Sequence, residues 1–215
     1  METGRKIGYN IDRMLVPRGI NDAEILVKNS RFLSRAESVA KPEEARALIK
    51  KRREEHPGAN HVVHAFITGE RAEVSGCSDD REPSGTAGRP VLEILKGSGI
   101  TNIIITIVRY FGGTKLGTGG LVHAYSEAAK AALAGLPTAE FTRWTAFTLS
   151  LSYDLFERAR SALIQEGAEI KREDFSTEVV ISGRLPEKGS ASLQERIKTL
   201  SNGKTVVYFE REEDI

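Results

Sequence analysis

The chain has almost no cysteine. Among 215 residues only Cys77 occurs, so no internal disulfide can form. Its four histidines fall at no spacing that suits zinc. Both absences fit a reducing compartment. No apolar run approaches the length of a bilayer-spanning helix. The opening METGRKIGYNIDRML lacks the apolar core of a signal peptide, so a cytoplasmic protein without membrane contact is expected. Net charge is small as well: 31 Lys and Arg against 30 Asp and Glu leave +1. A dedicated nucleic-acid-binding protein is often far more basic, so any RNA contact has to come from a local patch. Lys50-Lys51-Arg52-Arg53 is one such patch, but Glu54 and Glu55 follow directly, and helical spacing reads it as a solvated face. Several motifs are missing too. There is no Walker A Gly-Lys-Ser/Thr, no G-x-G-x-x-G fingerprint and no G-x-S-x-G elbow. No internal repeat or low-complexity tract is present.

What remains is an ordinary globular composition, 40% hydrophobic and 28% charged, able to build a core without metal or disulfides. The densest information lies in Thr101–Leu133. Ile103–Val108 is an unbroken apolar run, read as a strand buried on both faces. It runs into Arg109-Tyr110-Phe111 and then into Gly112, Gly113, Lys115, Gly117, Gly119 and Gly120. A helix starting at Thr118 follows, with Leu121, Tyr125, Ala128 and Ala132 on one face, and it stops at Gly135. A strand, a glycine-rich turn and a helix N-terminus make a natural anion cradle, because glycine admits a ligand to the backbone N–H groups and the helix dipole favours negative charge.

Residues 135–143 read as a linker between two domains, 1–137 and 143–215. The second has the order strand (Trp144–Tyr153), helix, hairpin, helix, strand (Lys204–Glu210), the βαββαβ signature of a ferredoxin-like domain. Asp154 is a candidate cap for its first helix, and Ser192 with Glu195 for a capping box on its second. The first domain reads as α+β, a sheet with helices on one face. Its strands are Glu24–Lys28, Arg31–Val39, His61–Thr68 and Ala72–Ser75, with helices from Pro42 and from Pro90. In the Pro42 helix, Ala45, Leu48 and Ile49 face inward. The acidic end, Glu210 to Asp214, reads as a frayed terminus.

A second loop, Ser78 to Pro90, carries Asp79, Asp80, Glu82, Ser84, Gly85 and Thr86. Its carboxylates are candidates for magnesium or for acid–base work, against the plain reading that such residues form turns. Arg109, at the end of a buried strand, needs a partner. Either an internal carboxylate (Asp79, Asp80 or Glu82) or an external anion would serve. Cys77 as a nucleophile would want a histidine base such as His61, His64 or His123, but nothing in the spacing demands it. No catalytic residue, metal-ligand set or cofactor is expected.

The two loops, SDDREPSGTAGRP and GITNIIITIVRYFGGTKLGTGGLVHAY, closely resemble the IMPACT family, and within it the bacterial YigZ-like branch. The resemblance extends over the whole chain. It implies a ribosomal-protein-S5-domain-2-like N-terminal fold and a ferredoxin-like C-terminal fold. That domain order is similar to the last two domains of elongation factor G, which points toward RNA or the ribosome. Eukaryotic relatives act in translational control through a further domain, so their partner does not carry over. Three departures stand out. Arg81 takes a position where bacterial relatives usually have glycine, His123 one where they have arginine, and Val63-His64 stands for their cysteine and tyrosine. The leading expectation is a non-catalytic regulatory or RNA-linked binding protein of the translation system. It would hold an anionic partner at Arg109–His123. The rivals are a magnesium-dependent enzyme acting on a phosphorylated small molecule or nucleotide, and a protein–protein adaptor whose loops are structural.

Overall fold

The computed structural model describes residues 14–211, so the acidic run 212–214 and the opening residues 1–13 lie outside it. Two compact units divide the chain, 1–141 and 142–215. In unit 1 the strands are β1 (Leu15–Pro17), β2 (Asn21–Val27), β3 (Ser30–Ser38), β4 (His61–Thr68), β5 (Val74–Ser78), β6 (Ile103–Tyr110) and β7 (Thr138–Glu140). Its helices are α1 (Pro42–Glu55), α2 (Gly88–Gly97) and α3 (Gly117–Ala134). Five strands form one antiparallel sheet in the order β2-β3-β6-β4-β5.

The apolar run on β6 sits mid-sheet, and Ile103–Arg109 is buried throughout. Alternation along the strand divides it between two cores. Ile103, Ile105 and Ile107 face α2 and α3 together with Phe32, Leu95 and Tyr125. Ile104 points the other way and packs with Val39, Ala45, Leu48, Ile49 and Phe66 under α1. Each fully buried isoleucine contributes roughly 1.5–3 kcal/mol. Helices therefore cover both faces of the sheet, which corrects the expectation of one. The solvated-face reading of Lys50–Arg53 is corrected at one residue. Arg52 continues the Ala45, Leu48, Ile49 stripe and is buried, its Nε donating to Thr106 Oγ1 at 3.3 Å. Its Nη1 donates to His56 Nε2 at 3.0 Å, so the imidazole proton sits on Nδ1, 3.0 Å from the Tyr110 hydroxyl.

Part of the expected linker is ordered: β7 pairs antiparallel with β1. At the far end of α3, the Asn21 side-chain amide donates to the Ala132 carbonyl at 2.8 Å. This satisfies one of the orphan acceptors of the last turn.

Unit 2 contains β8 (Trp144–Leu151), α4 (Phe156–Gln165), β9 (Glu169–Phe175), β10 (Val179–Pro186), α5 (Ser190–Leu200) and β11 (Tyr208–Arg211). Its sheet order is β11-β8-β10-β9, antiparallel throughout. Phe147, Leu149, Ile181, Leu163, Leu193 and Ile197 fill its core. Neither expected cap forms. A 3-10 turn, Tyr153–Leu155, precedes α4 without a side-chain cap. Because α5 begins at Ser190, Ser192 lies inside it and donates to Glu166 Oε1 at 2.7 Å instead.

Candidate functional site

The C-terminal end of β6 brings the two loops together. Arg109 is 5% exposed, and its Nη1 donates to Glu82 Oε1 at 2.7 Å. The Tyr125 hydroxyl, from α3, donates to the same oxygen at 2.8 Å. His61 Nε2 stands 3.7 Å from it, while His61 Nδ1 meets the Asp80 carbonyl at 2.8 Å. Burial, and then the Glu82 charge, hold the Tyr125 phenol far above its ordinary range, so it remains a donor. The guanidinium carbon of Arg109 lies over the Phe32 ring at 5.4 Å and over the Phe111 ring at 5.7 Å. Arg109 Nε is buried without a hydrogen-bond partner. Of the two partners anticipated for Arg109, the internal carboxylate is the one found, and it is Glu82.

Asp79 and Asp80 are committed elsewhere. Asp79 accepts from the backbone N–H of Gly85 (2.8 Å), Ala87 (3.0 Å) and Gly88 (2.8 Å), closing the loop onto the start of α2. Asp80 accepts from Val62 N at 2.6 Å and from Arg53 Nη2 at 2.7 Å, which ties the loop to β4 and α1. Thr86 is turned inward and donates to the Pro83 carbonyl at 2.6 Å. Of the six candidates in this loop, Asp79, Asp80, Glu82, Ser84, Gly85 and Thr86, only Ser84 and Gly85 are exposed. Among the described residues no three of His, Cys, Asp or Glu gather into a group able to hold a metal. Every one of the three loop carboxylates accepts from protein donors, so the acidic residues serve as scaffold for the loop. The Cys77 nucleophile reading finds no support. Burial and the nearby Asp79 push its thiol up rather than down, and His61 is already engaged by the acidic loop.

Burial drives the Asp79 carboxyl upward, but the three N–H donors outweigh it and hold it below its ordinary value of 3.8. A depressed carboxylate contributes stability that is present above that ordinary value and lost as pH falls through the folded one. Wild-type stability should therefore drop below about pH 4, and Asp79→Asn should flatten that drop while costing about 1–3 kcal/mol at neutral pH. Denaturant melts across acid pH read both effects. A further expectation concerns Arg81. Asp80 and Arg81 adopt φ of 43° and 70°, a left-handed pair on the tip of the loop. A glycine at 81 relieves that strain at some cost in unfolded-chain entropy. Arg81→Gly should raise stability by about 0.5–1 kcal/mol in the same melts.

The glycine-rich loop is built differently. Gly112 is packed against the tip of the β2–β3 hairpin: a Cβ there would lie 2.0 Å from the Asn29 carbonyl carbon. That tip is a two-residue turn with Lys28 and Asn29 both left-handed, the geometry a tight hairpin prefers. Ser30 Oγ accepts from Gly112 N at 3.2 Å, and Asn60 Oδ1 accepts from Phe111 N at 2.8 Å. Beyond this anchor the chain opens out. Gly113, Gly117 and Gly119 face empty space, whereas Gly120 is tight against Leu116 Cβ at 3.1 Å. Lys115, His123 and Phe111 are exposed, while Tyr110 is half-buried and held by His56. Helix α3 has no side-chain cap and no acidic residue in its first turn. The sequence between Phe111 and Ser126 holds no Asp or Glu at all. An uncapped helix start without local negative charge can accept an anion.

The residues missed from sequence are those that support this geometry: Ser30, Asn60, Phe32 and Arg53. Tyr125 was legible as core but not as a hydrogen-bond donor. None has a local signal, because each acts across a long sequence separation.

The family model of the Impact N-terminal domain matches residues 28–133, and that of a domain of unknown function, DUF1949, matches residues 149–204. IMPACT family member YigZ of Escherichia coli is 36% identical over 179 residues, 82% of this chain and 88% of that protein. This chain belongs to the IMPACT family. IMPACT family member YvyE of Bacillus subtilis is 32% identical, covering 85% of this chain and 84% of its own. A family member of Haemophilus influenzae is 33% identical over 90% of this chain and 95% of its own. Among solved structures, a crystal structure of a hypothetical protein aligns with a TM-score of 0.66 at 34% identity, covering 94% of this chain and 99% of that one. The Impact N-terminal match takes in both loops, so the Arg109–Glu82–Tyr125 cluster and the glycine-rich turn lie inside the part of this IMPACT chain that the family model describes. Among the described residues no helix is long and apolar enough to cross a membrane.

Proposed function

We propose that this IMPACT-family chain is a non-catalytic regulatory binding protein of the translation system. It holds RNA, free or on the ribosome, against the glycine-rich loop in the cytoplasm. The observation that carries the reading is the acid-free, uncapped start of α3, flanked by exposed Lys115 and His123 and floored by glycines with open space above them. Phosphate fits such a surface because N–H donors and the helix dipole meet it without a competing carboxylate. The sheet order β11-β8-β10-β9, with helices after β8 and β10, supports a ferredoxin-like reading of unit 2. An S5-domain-2-like reading of unit 1 belongs to the same proposal. Such folds host many activities, so the site and not the fold carries the functional weight.

The test is a salt-series titration against ribosomes and structured RNA. Affinity should fall steeply as salt rises, and Lys115→Ala should lower the logarithmic salt slope by about one. Its stability should stay within about 0.5 kcal/mol of wild type, because Lys115 is exposed. No saturable binding to either target at low salt would overturn the proposal.

A further inference from the structure

Phe111 places a large apolar ring at the surface. It is 47% exposed, directly after β6 and directly before the packed Gly112. Its backbone is pinned by Asn60, and its ring is pinned by Arg109, whose guanidinium occupies one face. Arg109 is in turn held by Glu82 and lies over the Phe32 ring as well. Buried Phe32, Arg109 and half-exposed Phe111 thus form one contact cluster that reaches the surface at the Phe111 ring. Ordering costs little on binding when the ring is already held. The segment that bears it and the hairpin tip packed on that segment carry cations without acid of their own. Neither the hairpin tip, residues 25–32, nor residues 111–126 carries a carboxylate, whereas Lys28, Arg31, Lys115 and His123 all lie there. Of these, Arg31 is engaged by Glu24 at 2.7 Å and the other three are exposed.

An exposed aromatic ring beside a cationic, phosphate-accepting backbone is the recognition pattern of unpaired nucleotides. A base stacks on the ring while its phosphate is held alongside. A duplex keeps its bases stacked on one another and offers none to the ring. Resting on the RNA reading above and narrowing it, we infer that Phe111 is a base-stacking platform, so that the ligand class is single-stranded or looped RNA. The Arg109 cation behind the ring adds to the stack, as guanidinium–aromatic–base layers do.

The experiment uses the full chain and fluorescence anisotropy at low salt. The probes are a short labelled single-stranded RNA of mixed sequence, its perfect duplex, and a strand of equal length lacking bases. Variants are Phe111→Ala, Phe111→Leu and Phe111→Trp, each checked by a denaturant melt. Wild type should prefer the single strand to the duplex. Phe111→Ala and Phe111→Leu should each weaken single-strand binding roughly tenfold, and Phe111→Trp should keep it. The base-free strand should bind wild type and Phe111→Ala alike, because only the phosphate contacts remain. Equal binding of the mixed-sequence strand by wild type and a folded Phe111→Ala overturns the stacking inference and leaves the RNA reading standing. Equal affinity for duplex and single strand does the same. Should wild type bind no RNA in any form, both fall.

Discussion

Arg109→Ala is expected to destabilise unit 1 by about 3–5 kcal/mol. The substitution does more than delete one hydrogen bond. Glu82 is 8% exposed and would be left as a buried carboxylate without its guanidinium, facing the Tyr125 hydroxyl at 2.8 Å and His61 Nε2 at 3.7 Å. Phe32 and Phe111 would each lose the guanidinium that lies over its ring. Deleting both charges should cost far less than deleting one, because neither partner is then stranded. Arg109→Met combined with Glu82→Gln should therefore recover much of the loss. Trp144, the single tryptophan, lies in unit 2, which has its own core. Its fluorescence reads unit 2 and circular dichroism reads both units, so the two signals together locate the lost stability. A loss below about 1 kcal/mol in Arg109→Ala would mean that the pair does not hold the loops together.

Strong periodic signals in the sequence correspond to real elements. The apolar run at Ile103–Val108 is part of a strand buried on both faces, and the Leu121, Tyr125, Ala128, Ala132 stripe lies buried on α3. Unit 2 follows the element order read from its alternation and turns. The misses have physical causes. Strands β1 and β7 are three residues each, too short for any period, and meet only through a distant pairing. A one-dimensional pattern marks an apolar stripe but not which face of the sheet it covers, so it cannot separate α1 from the other helices. Arg52 was legible in principle. It falls seven residues after Ala45, on the same stripe, and the surrounding charges masked it. Among three loop carboxylates, spacing could not say which one reaches Arg109. That depends on Asp79 and Asp80 being drawn off by backbone donors.

The glycines of the loop should separate scaffold from site. Gly112→Ala places a Cβ 2.0 Å from the Asn29 carbonyl carbon and 2.2 Å from its oxygen, both backbone atoms. Backbone cannot rotate aside as a side chain can, so the hairpin tip or the β6 end has to move. The expected cost is about 3 kcal/mol, the upper end for overpacking a fitted contact. Gly119→Ala meets nothing within 4 Å, and its φ is not in the left-handed region. It sits in the first turn of α3, where alanine is the better helix former, so the change should be neutral or stabilise by up to about 0.5 kcal/mol. Its consequence should appear in binding instead. A methyl on that surface keeps a phosphate away from the uncapped N–H groups, and RNA affinity should fall roughly tenfold, the loss of about one charge-assisted hydrogen bond. Denaturant melts beside an RNA titration read both variants. If Gly119→Ala binds RNA as wild type does while Gly112→Ala unfolds, every glycine in the loop serves packing and turns, and the anion surface has to be sought elsewhere on the molecule.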